Sequence, residues 1–439
     1  MKQFDFAARL DGCACGSVHE CAVHKVIIEN GALSSIPQLL GGHKNVVLVC
    51  DNNTWAACGS HVAGLLADGG FTVRTVRYPQ NGILVPDDDA VDTLLQSAGE
   101  QTHVIVGVGS GVINDLCKWA SFCLKLPYMI VATAPSMDGF ASTGAALIIK
   151  GMKVTYEAHV PRWIVADTGV LRRAPLDMIR AGAGDILGKI SSLNDWKISH
   201  IINGEPLCPK VCGLVAEQIE ICREDLPAIS NQDEHAIARL MEALVAVGFC
   251  MSYTGNSRPA SGSEHHLSHF FEVTGLLNKQ PYFPHGIDVA YSTVVTCALR
   301  HRLVHSFQRA EYGRVDEGKW QERISAVYGA LAPKIIALQN RVGFYGDGRE
   351  ERQARIRKLW PQLKAVLDEV PEENEMAALL CGLGLAMPDF IKLYGKSKIE
   401  QSVIFAKELK DRYTLLWLMQ DTGLLEELAG SLKLNCAEQ

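Results

Sequence analysis

The sequence predicts an α/β domain followed by an all-α domain, and three observations carry that prediction. Short β-branched runs alternate with helix-like stretches over the first 170 residues, and past Asp167 the texture changes to apolar residues at helical spacing. At 439 residues the chain is also long for one core, so two domains are the default. Strands that alternate with helices argue for a mostly parallel sheet covered on both faces. The boundary is expected near 168–173, giving an α/β domain over 1–170 and a helical domain over 171–439.

The first domain is built from candidate strands at Lys25–Ile28, Val46–Cys50, Phe71–Tyr78, His103–Val106, Tyr128–Thr133, Ala145–Lys150 and Trp163–Ala166. Helix-like segments at 54–68 and 88–99 fall between them. The second domain should hold helices over 174–202, 208–225, 233–251, 263–278, 286–307, 318–341, 350–369, 374–383, 397–408 and 411–429. Segment 342–352, rich in Gly and charge, is expected to be an exposed loop. The chain shows no internal repeat, coiled coil or low-complexity tract.

Apolar residues make up 48% of the chain and charged residues 21%, the balance of a folded globular protein. A net charge of −7 supplies no basic field for nucleic acid or an anionic membrane, so neither is expected as a partner. An anionic substrate would need locally placed cations. The first residues have no apolar signal core, and the most apolar later stretch, around 377–391, is broken by Gly, Pro and Asp. Fourteen scattered cysteines, many in apolar runs, read as reduced, buried thiols of a cytoplasmic enzyme.

Val-Ile-Val-Gly-Val-Gly-Ser-Gly-Val-Ile-Asn-Asp (104–115) reads as a strand, a glycine turn and a helix start. Gly107, Gly109 and Gly111 permit dihedrals and close approach that side chains would block. Backbone N–H groups at the helix start, with Ser110 as an extra donor, could hold a pyrophosphate. Ile113 and Asn114 stand where the last glycine of the usual G-x-G-x-x-G would fall, so a purely structural turn weighs about equally. Asp51 closes an earlier strand and could accept ribose hydroxyls; an N-cap for the helix at 54–68 is the alternative and, for this residue alone, the stronger one. In Thr-Ala-Pro-Ser-Met-Asp-Gly-Phe-Ala-Ser (133–142), Thr133, Ser136 and Ser142 could touch a cofactor and Asp138 a substrate hydroxyl, with an ordinary turn as the equal alternative.

Three further segments fit one site: Ala-Gly-Asp-Ile-Leu-Gly-Lys (183–189), Ser-Glu-His-His-Leu-Ser-His (263–269) and Pro-His-Gly-Ile-Asp-Val-Ala (284–290). They supply Asp185, His265 or His269, and His285. One carboxylate and two imidazoles make a mixed ligand set for a first-row divalent metal. His265 and His269, four apart, share a helix face, as do Asp185 and Lys189. His266 points off that face and reads as structural. One of His265 and His269 is then a ligand and the other a neighbouring contact. Near the N-terminus, Cys13, Cys15, His19, Cys21 and His24 resemble a small zinc knot, but the short Cys-x-Cys spacing tips the balance to a buried or capping turn.

Taken in order, Gly-Val-Gly-Ser-Gly-Val-Ile-Asn-Asp-Leu, Thr-Ala-Pro-Ser-Met-Asp-Gly-Phe-Ala-Ser, Gly-Ala-Gly-Asp, Ser-Arg-Pro-Ala-Ser-Gly-Ser-Glu-His and Pro-His-Gly resemble the sn-glycerol-1-phosphate dehydrogenases, bacterial branch. These lie in the superfamily of glycerol dehydrogenases, iron-type alcohol dehydrogenases and dehydroquinate synthases. The resemblance runs from about residue 25 to at least 300, and the region beyond about 310 is expected to be lineage-specific. It implies a Rossmann-like domain, a helical domain of the dehydroquinate synthase-like fold, and a site in the cleft between them. It implies a divalent metal on Asp185, His265 and His285, with zinc, nickel and iron all compatible. The first His of the pair is the family's ligand, so His265 is selected, and His269 faces the substrate together with Asp138 and Asp185. NAD(P)H contacts map onto Asp51, onto Gly109, Ser110, Gly111, Val112, Ile113, Asn114 and Asp115, and onto Thr133, Ala134, Pro135, Ser136 and Ser142.

The family's Leu-His-Gly is Pro-His-Gly here, which leaves the ligand intact. Asp185 stands where dehydroquinate synthases carry Glu, which argues against that branch. The implied reaction is reduction of dihydroxyacetone phosphate to sn-glycerol 1-phosphate, a step toward phospholipid. The metal would act on the ketone oxygen and the nicotinamide would deliver hydride. Arg258 and Lys189 are the candidate cations for the substrate phosphate. A polyol (glycerol) dehydrogenase, a dehydroquinate synthase-like lyase and a silent cofactor binder are the rival readings. Asp51 leans toward NAD, and Asn52 and Asn53 leave room for NADP. A homo-oligomer, a dimer or larger, is expected.

Overall fold

The computed structural model describes residues 9–16, 18–79, 84–149, 152–313, 316–346 and 348–432. The first residues, read above for a signal core, and Lys150, read as the end of a strand, lie outside them. The chain divides into two compact units, Met1–Ile186 with Glu220–Asn256, and Leu187–Ile219 with Ser257–Gln439. The strands end at Asp167, where the sequence places the change of texture. The units do not follow that point, because the chain crosses from one to the other within two helices that are not interrupted there.

The first unit contains one six-stranded sheet in the order β1-β8-β5-β4-β2-β3. Its strands are β1 (Lys25–Glu29), β2 (Asn45–Asp51), β3 (Thr72–Tyr78), β4 (Val104–Gly109), β5 (Tyr128–Ala132) and β8 (Trp163–Asp167), and every pairing is parallel. The runs Val-Ile-Val-Gly-Val-Gly, Tyr-Met-Ile-Val-Ala and Trp-Ile-Val-Ala-Asp are buried at every position, which is why they read as continuous apolar runs without alternation. Helices α1 (Ser60–Asp68), α2 (Asp88–Ser97) and α3 (Gly111–Leu124) make the crossovers that parallel strands require. From β2 the chain goes outward to β3, whereas from β4 it goes the opposite way to β5. The order therefore reverses between β2 and β4, the position where open α/β sheets bind ligands beyond the carboxyl ends of their strands.

One strand escapes sequence reading. Met152–Glu157 (β7) pairs antiparallel with β6 (Gly144–Ile149) in a separate two-stranded ribbon, so β6 does not join the main sheet.

Helix α4 spans Leu176–Asn203 and α5 spans Pro209–Ser230; the division between units falls inside both. Helix α6 (Glu234–Thr254) belongs to the first unit. Among the described residues it is the one helix long and apolar enough to cross a membrane, and most of it is buried within the protein. The most apolar segment is thus α6 and not 377–391. Its Gly248 lets the Asp138–Ala141 backbone approach, and Ser252 Oγ donates to Ala141 O at 2.6 Å.

The second unit carries α7 (Ser263–Asn278), α8 (His285–Ser306), α9 (Glu317–Tyr328), α10 (Ala332–Val342), α11 (Arg349–Leu367), α12 (Glu373–Gly382), α13 (Met387–Phe405), α14 (Leu415–Asp421) and α15 (Leu425–Gly430). The stretches 318–341 and 411–429 each resolve into two helices. The first divides at Gly329, which has φ +51°, and the second at Gly423, which has φ +72°. Both are backbone positions that stop a helix.

Candidate metal centre and nucleotide-binding edge

Helix α7 begins where two carboxylates meet its free N–H groups. Glu264 Oε1 accepts from Gly262 N at 2.7 Å, and Asp195 Oδ2 accepts from Ser263 N at 2.5 Å. This start sets the helical phase that brings His265 and His269 to one side, with ring centroids 6.5 Å apart. Helix α8 opens at His285 directly after Pro284, whose φ of −50° and ψ of 142° make a sharp entry. The His285 ring lies 5.2 Å from that of His265 and 5.3 Å from that of His269.

Each of the two expected histidine ligands has its Nδ1 engaged. His265 Nδ1 is 2.7 Å from Glu264 Oε1, and a carboxylate there accepts the Nδ1 proton, so Nε2 is the unprotonated nitrogen. His285 Nδ1 is 3.1 Å from Ser268 Oγ, which in turn donates to His285 O at 3.2 Å. With its own proton committed to the carbonyl, Ser268 Oγ accepts from Nδ1, and Nε2 of His285 is again the unprotonated nitrogen. Glu264 is fully buried. Burial alone would push its carboxyl up, but the hydrogen bond and charge of His265, with Ser191 and Gly262, hold it below the usual carboxylate range.

Asp185 sits mid-way along α4, which runs unbroken through the Ile186–Leu187 division. It is 1% exposed, and its Oδ2 accepts from Asp138 N at 3.0 Å. Asp185 offers a carboxylate oxygen, and His265 and His285 offer imidazole nitrogens. Hard oxygen with two neutral imidazoles is a donor set that fits a first-row divalent ion. His269, Glu272 and His285 form a second such group, and Glu272 Oε2 lies 3.8 Å from His269 Nδ1. Glu264, Ser268 and Glu272 were not picked out from sequence. Their signal was adjacency, since each lies within four residues of a ligand candidate on one helix.

The carboxyl ends of β2, β4 and β5 present Asp51, Gly109–Ser110 and Thr133. Gly109 is required by packing: a Cβ there would fall 2.5 Å from Ile113 Cβ. None of Gly107, Gly109 and Gly111 has positive φ, so unusual dihedrals are not their reason; close approach of α3 to β4 accounts for Gly107 and Gly109, while a Cβ on Gly111 would meet only ordinary contacts with Met137. Among the described residues Ser110 Oγ bonds Ser136 Oγ and lies 3.5 Å from Ala134 O, which ties the β4 turn to the 133–142 segment. Thr133 N donates to Gly109 O at 3.1 Å. Asn114 and Asp115, expected at the cofactor, spend side-chain atoms on the protein: Asn114 Nδ2 donates to Gly139 O and Asp115 Oδ2 accepts from Ala146 N. Pro135 is fixed against α4, where a Cβ on Gly182 would fall 1.8 Å from Pro135 O.

Lys118 is the residue of this edge that sequence reading missed. Fully buried, it donates to Gly139 O, Gly144 O and Ser142 Oγ at 3.0, 2.8 and 3.3 Å. Desolvation pushes its ammonium below the ordinary lysine value, against the pull of Asp115. It ties both ends of the segment that carries Ser142 to α3.

Asp51 takes the N-cap alternative read from sequence, and one expectation, that for Arg258, changes. Asp51 Oδ1 accepts from Thr54 N at 2.8 Å while Thr54 Oγ1 accepts from Asp51 N at 3.0 Å, so Asp51 is the N-cap of a capping box. Arg258 is not a surface cation for phosphate: it is 4% exposed, its Nε and Nη2 donate to Glu205 at 2.6 and 2.5 Å, and its Nη1 donates to Tyr413 O at 2.9 Å. Lys189, also fully buried, lies one helical turn after Asp185.

The family model described as iron-containing alcohol dehydrogenase matches residues 27–175. A protein of Halalkalibacterium halodurans named glycerol-1-phosphate dehydrogenase [NAD(P)+] is 32% identical over 414 residues, covering 93% of this chain and 95% of that one. The chain belongs to the glycerol-1-phosphate dehydrogenase family. An alignment that takes in 93% of the chain cannot stop near residue 310, so the C-terminal helices are shared with this family and are not lineage-specific. Among solved structures, glycerol dehydrogenase from Schizosaccharomyces pombe covers 93% of this chain and 90% of its own at a TM-score of 0.58 and 15% identity. The iron-containing alcohol dehydrogenase of Thermococcus thioreducens covers 93% and 98% at 0.60 and 16%. At such identities these two establish the fold: a parallel-sheet domain plus a helical domain of the iron-type alcohol dehydrogenase kind.

Proposed function

We propose that this protein reduces dihydroxyacetone phosphate to sn-glycerol 1-phosphate with NAD(P)H, on a divalent metal held by Asp185, His265 and His285. The observation that carries the reading is the engagement of Nδ1 in both histidines, by Glu264 at 2.7 Å and by Ser268 at 3.1 Å, which makes Nε2 the unprotonated, ligating nitrogen of each. The metal would supply Lewis acidity toward the ketone oxygen and the nicotinamide a hydride to C2.

The chain's own residues do the rest. The head of α3, over Gly111–Ile113, offers backbone N–H groups to the cofactor phosphates at the point where the strand order reverses. Ser110, Thr133 and Ser136 tie the two loops that would flank the nicotinamide. Asp138 binds its backbone N–H to Asp185, which supports a role for its side chain at a substrate hydroxyl. His269 is assigned proton delivery to the oxygen that becomes the C2 hydroxyl, with Glu272 beside its Nδ1. Of the two cations considered for the substrate phosphate, Lys189 is retained, because the Arg258 guanidinium serves Glu205 and Tyr413.

The thirteen free thiols among the described residues support a cytoplasmic setting. A dimer or larger is supported by Leu276, Leu277 and Tyr282, which are 40, 38 and 38% exposed around one end of α7. The deciding experiment follows NADH consumption by the metal-reconstituted enzyme with dihydroxyacetone phosphate beside unphosphorylated dihydroxyacetone. Strong preference for the phosphate is expected. Equal or reversed preference makes it a polyol dehydrogenase, and turnover of neither removes the reading.

A further inference from the structure

The Cys-x-Cys-Gly-x-x-His run before β1 has no part in that reaction, yet its donors converge. Cys13 N donates to Leu10 O at 3.0 Å, which closes one turn. Gly16, at φ +81°, turns the chain again directly after Cys15. His19 is thereby folded back, with its Nε2 3.2 Å from Cys15 Sγ. Its other nitrogen, Nδ1, lies 3.1 Å from Tyr253 O in the last turn of α6. A carbonyl can only accept, so Nδ1 carries the proton and Nε2 directs its lone pair at the thiols. Cys13, Cys15 and His19 offer ligand atoms within 4.8 Å of one another.

We propose that Cys13, Cys15 and His19 hold a structural zinc ion, distinct from the metal at Asp185, His265 and His285. The separation is chemical: two soft thiolates with one imidazole select zinc, whereas one carboxylate and two imidazoles form an oxygen and nitrogen set. The carbonyl behind His19 repeats the outer-sphere partner that metal-bound histidines carry. Each thiol that binds gives up one proton to solvent. The ion would pin the chain ahead of β1 to the end of α6 through Tyr253, a tie that a turn with only local bonds lacks.

Cobalt(II) substitution of the full-length protein tests this, because only a thiolate site gives an intense near-ultraviolet sulfur-to-cobalt band. The wild-type protein is expected to bind a second cobalt ion per chain and to show that band. A Cys13→Ser/Cys15→Ser variant should lose both the band and one ion, and His285→Ala should keep the band. A wild-type protein with no band, or a band that survives in the double serine variant, overturns the assignment. If the serine variant does not fold, alkylation of the wild type decides: Cys13 and Cys15 should be protected with zinc bound and labelled after chelation, and equal labelling before and after removes the site.

Discussion

Replacing Glu264 by Gln removes a charge while keeping the shape of the side chain. In the native protein its Oε1 takes an N–H from His265 Nδ1 and another from Gly262, both at 2.7 Å, in a fully buried setting. Hydrogen bonds to a charged group contribute about 1.5–3 kcal/mol and neutral ones about 0.5–1.5 kcal/mol, so the amide forfeits roughly 1–1.5 kcal/mol of support for the His265 tautomer. At about 1.4 kcal/mol per decade, the metal Kd should rise roughly five- to tenfold. Glu264→Ala goes further, because it strands two buried donors; loss of such an outer partner is expected to weaken metal binding by up to about 100-fold. The assay is competition of the metal-free protein against a chromophoric chelator, with far-ultraviolet dichroism and a thermal midpoint to show that the fold persists. A Gln variant that binds metal as tightly as the wild type, while remaining folded, would refute the argument that Glu264 orients His265.

Three further outcomes follow from particular side chains. Arg300 and Asp195 form a fully buried pair at 2.8 Å, with Asp195 also holding Ser263 N and Leu415 N, so Arg300→Met should cost about 3–5 kcal/mol by leaving the carboxylate uncompensated; a urea midpoint near the wild-type value would contradict this. His159, 2.7 Å from Ser121 Oγ and stacked 5.9 Å from Tyr128, has its imidazole pushed below the ordinary value of 6.5, first by burial and then by Lys118. A depressed base is neutral in the native state while the unfolded chain takes up the proton, so its contribution is present above pH 6.5 and is lost as pH falls through the lower native value. His159→Gln should flatten the fall in thermal midpoint below that pH, and an identical profile would count against it. Arg77, whose Nε donates to Asn52 Oδ1 at 2.6 Å beside the end of β2, is exposed where a 2′-phosphate would fall; Arg77→Ala should raise the KM for NADPH about three- to tenfold relative to NADH, and an unchanged ratio would exclude it.

The parts of the fold that were legible share a local signal. The run Ser263–Asn278 was readable to its end residues because its apolar spacing and its start both lie within the segment. The buried strands were readable from unbroken β-branched runs. By contrast, α13 begins at Met387, ten residues ahead of the segment read as helical. Gly395, at φ +71°, interrupts its periodicity in mid-course. The β6–β7 ribbon was half seen because its register depends on pairing and not on either strand alone.

At the site, residue types and spacings were enough to propose Asp185, His285 and one of His265 and His269, since metal chemistry restricts the side chains that can serve, and the family resemblance chose His265. Their orientation was not legible. Ser268 reaches a histidine seventeen residues away, and Arg258 meets a glutamate fifty-three residues away, which turned an expected phosphate anchor into a buried ion pair. The sequence by itself determined the α/β-then-helical order, the β4 turn, the ligand types and the family, because propensity, periodicity and donor chemistry are properties of short segments. Only the tertiary structure decided that Gly109 serves packing, that Lys118 ties a loop and that both candidate ligand histidines engage Nδ1. Each of these depends on which distant group fills the space next to a side chain, and no local pattern encodes that.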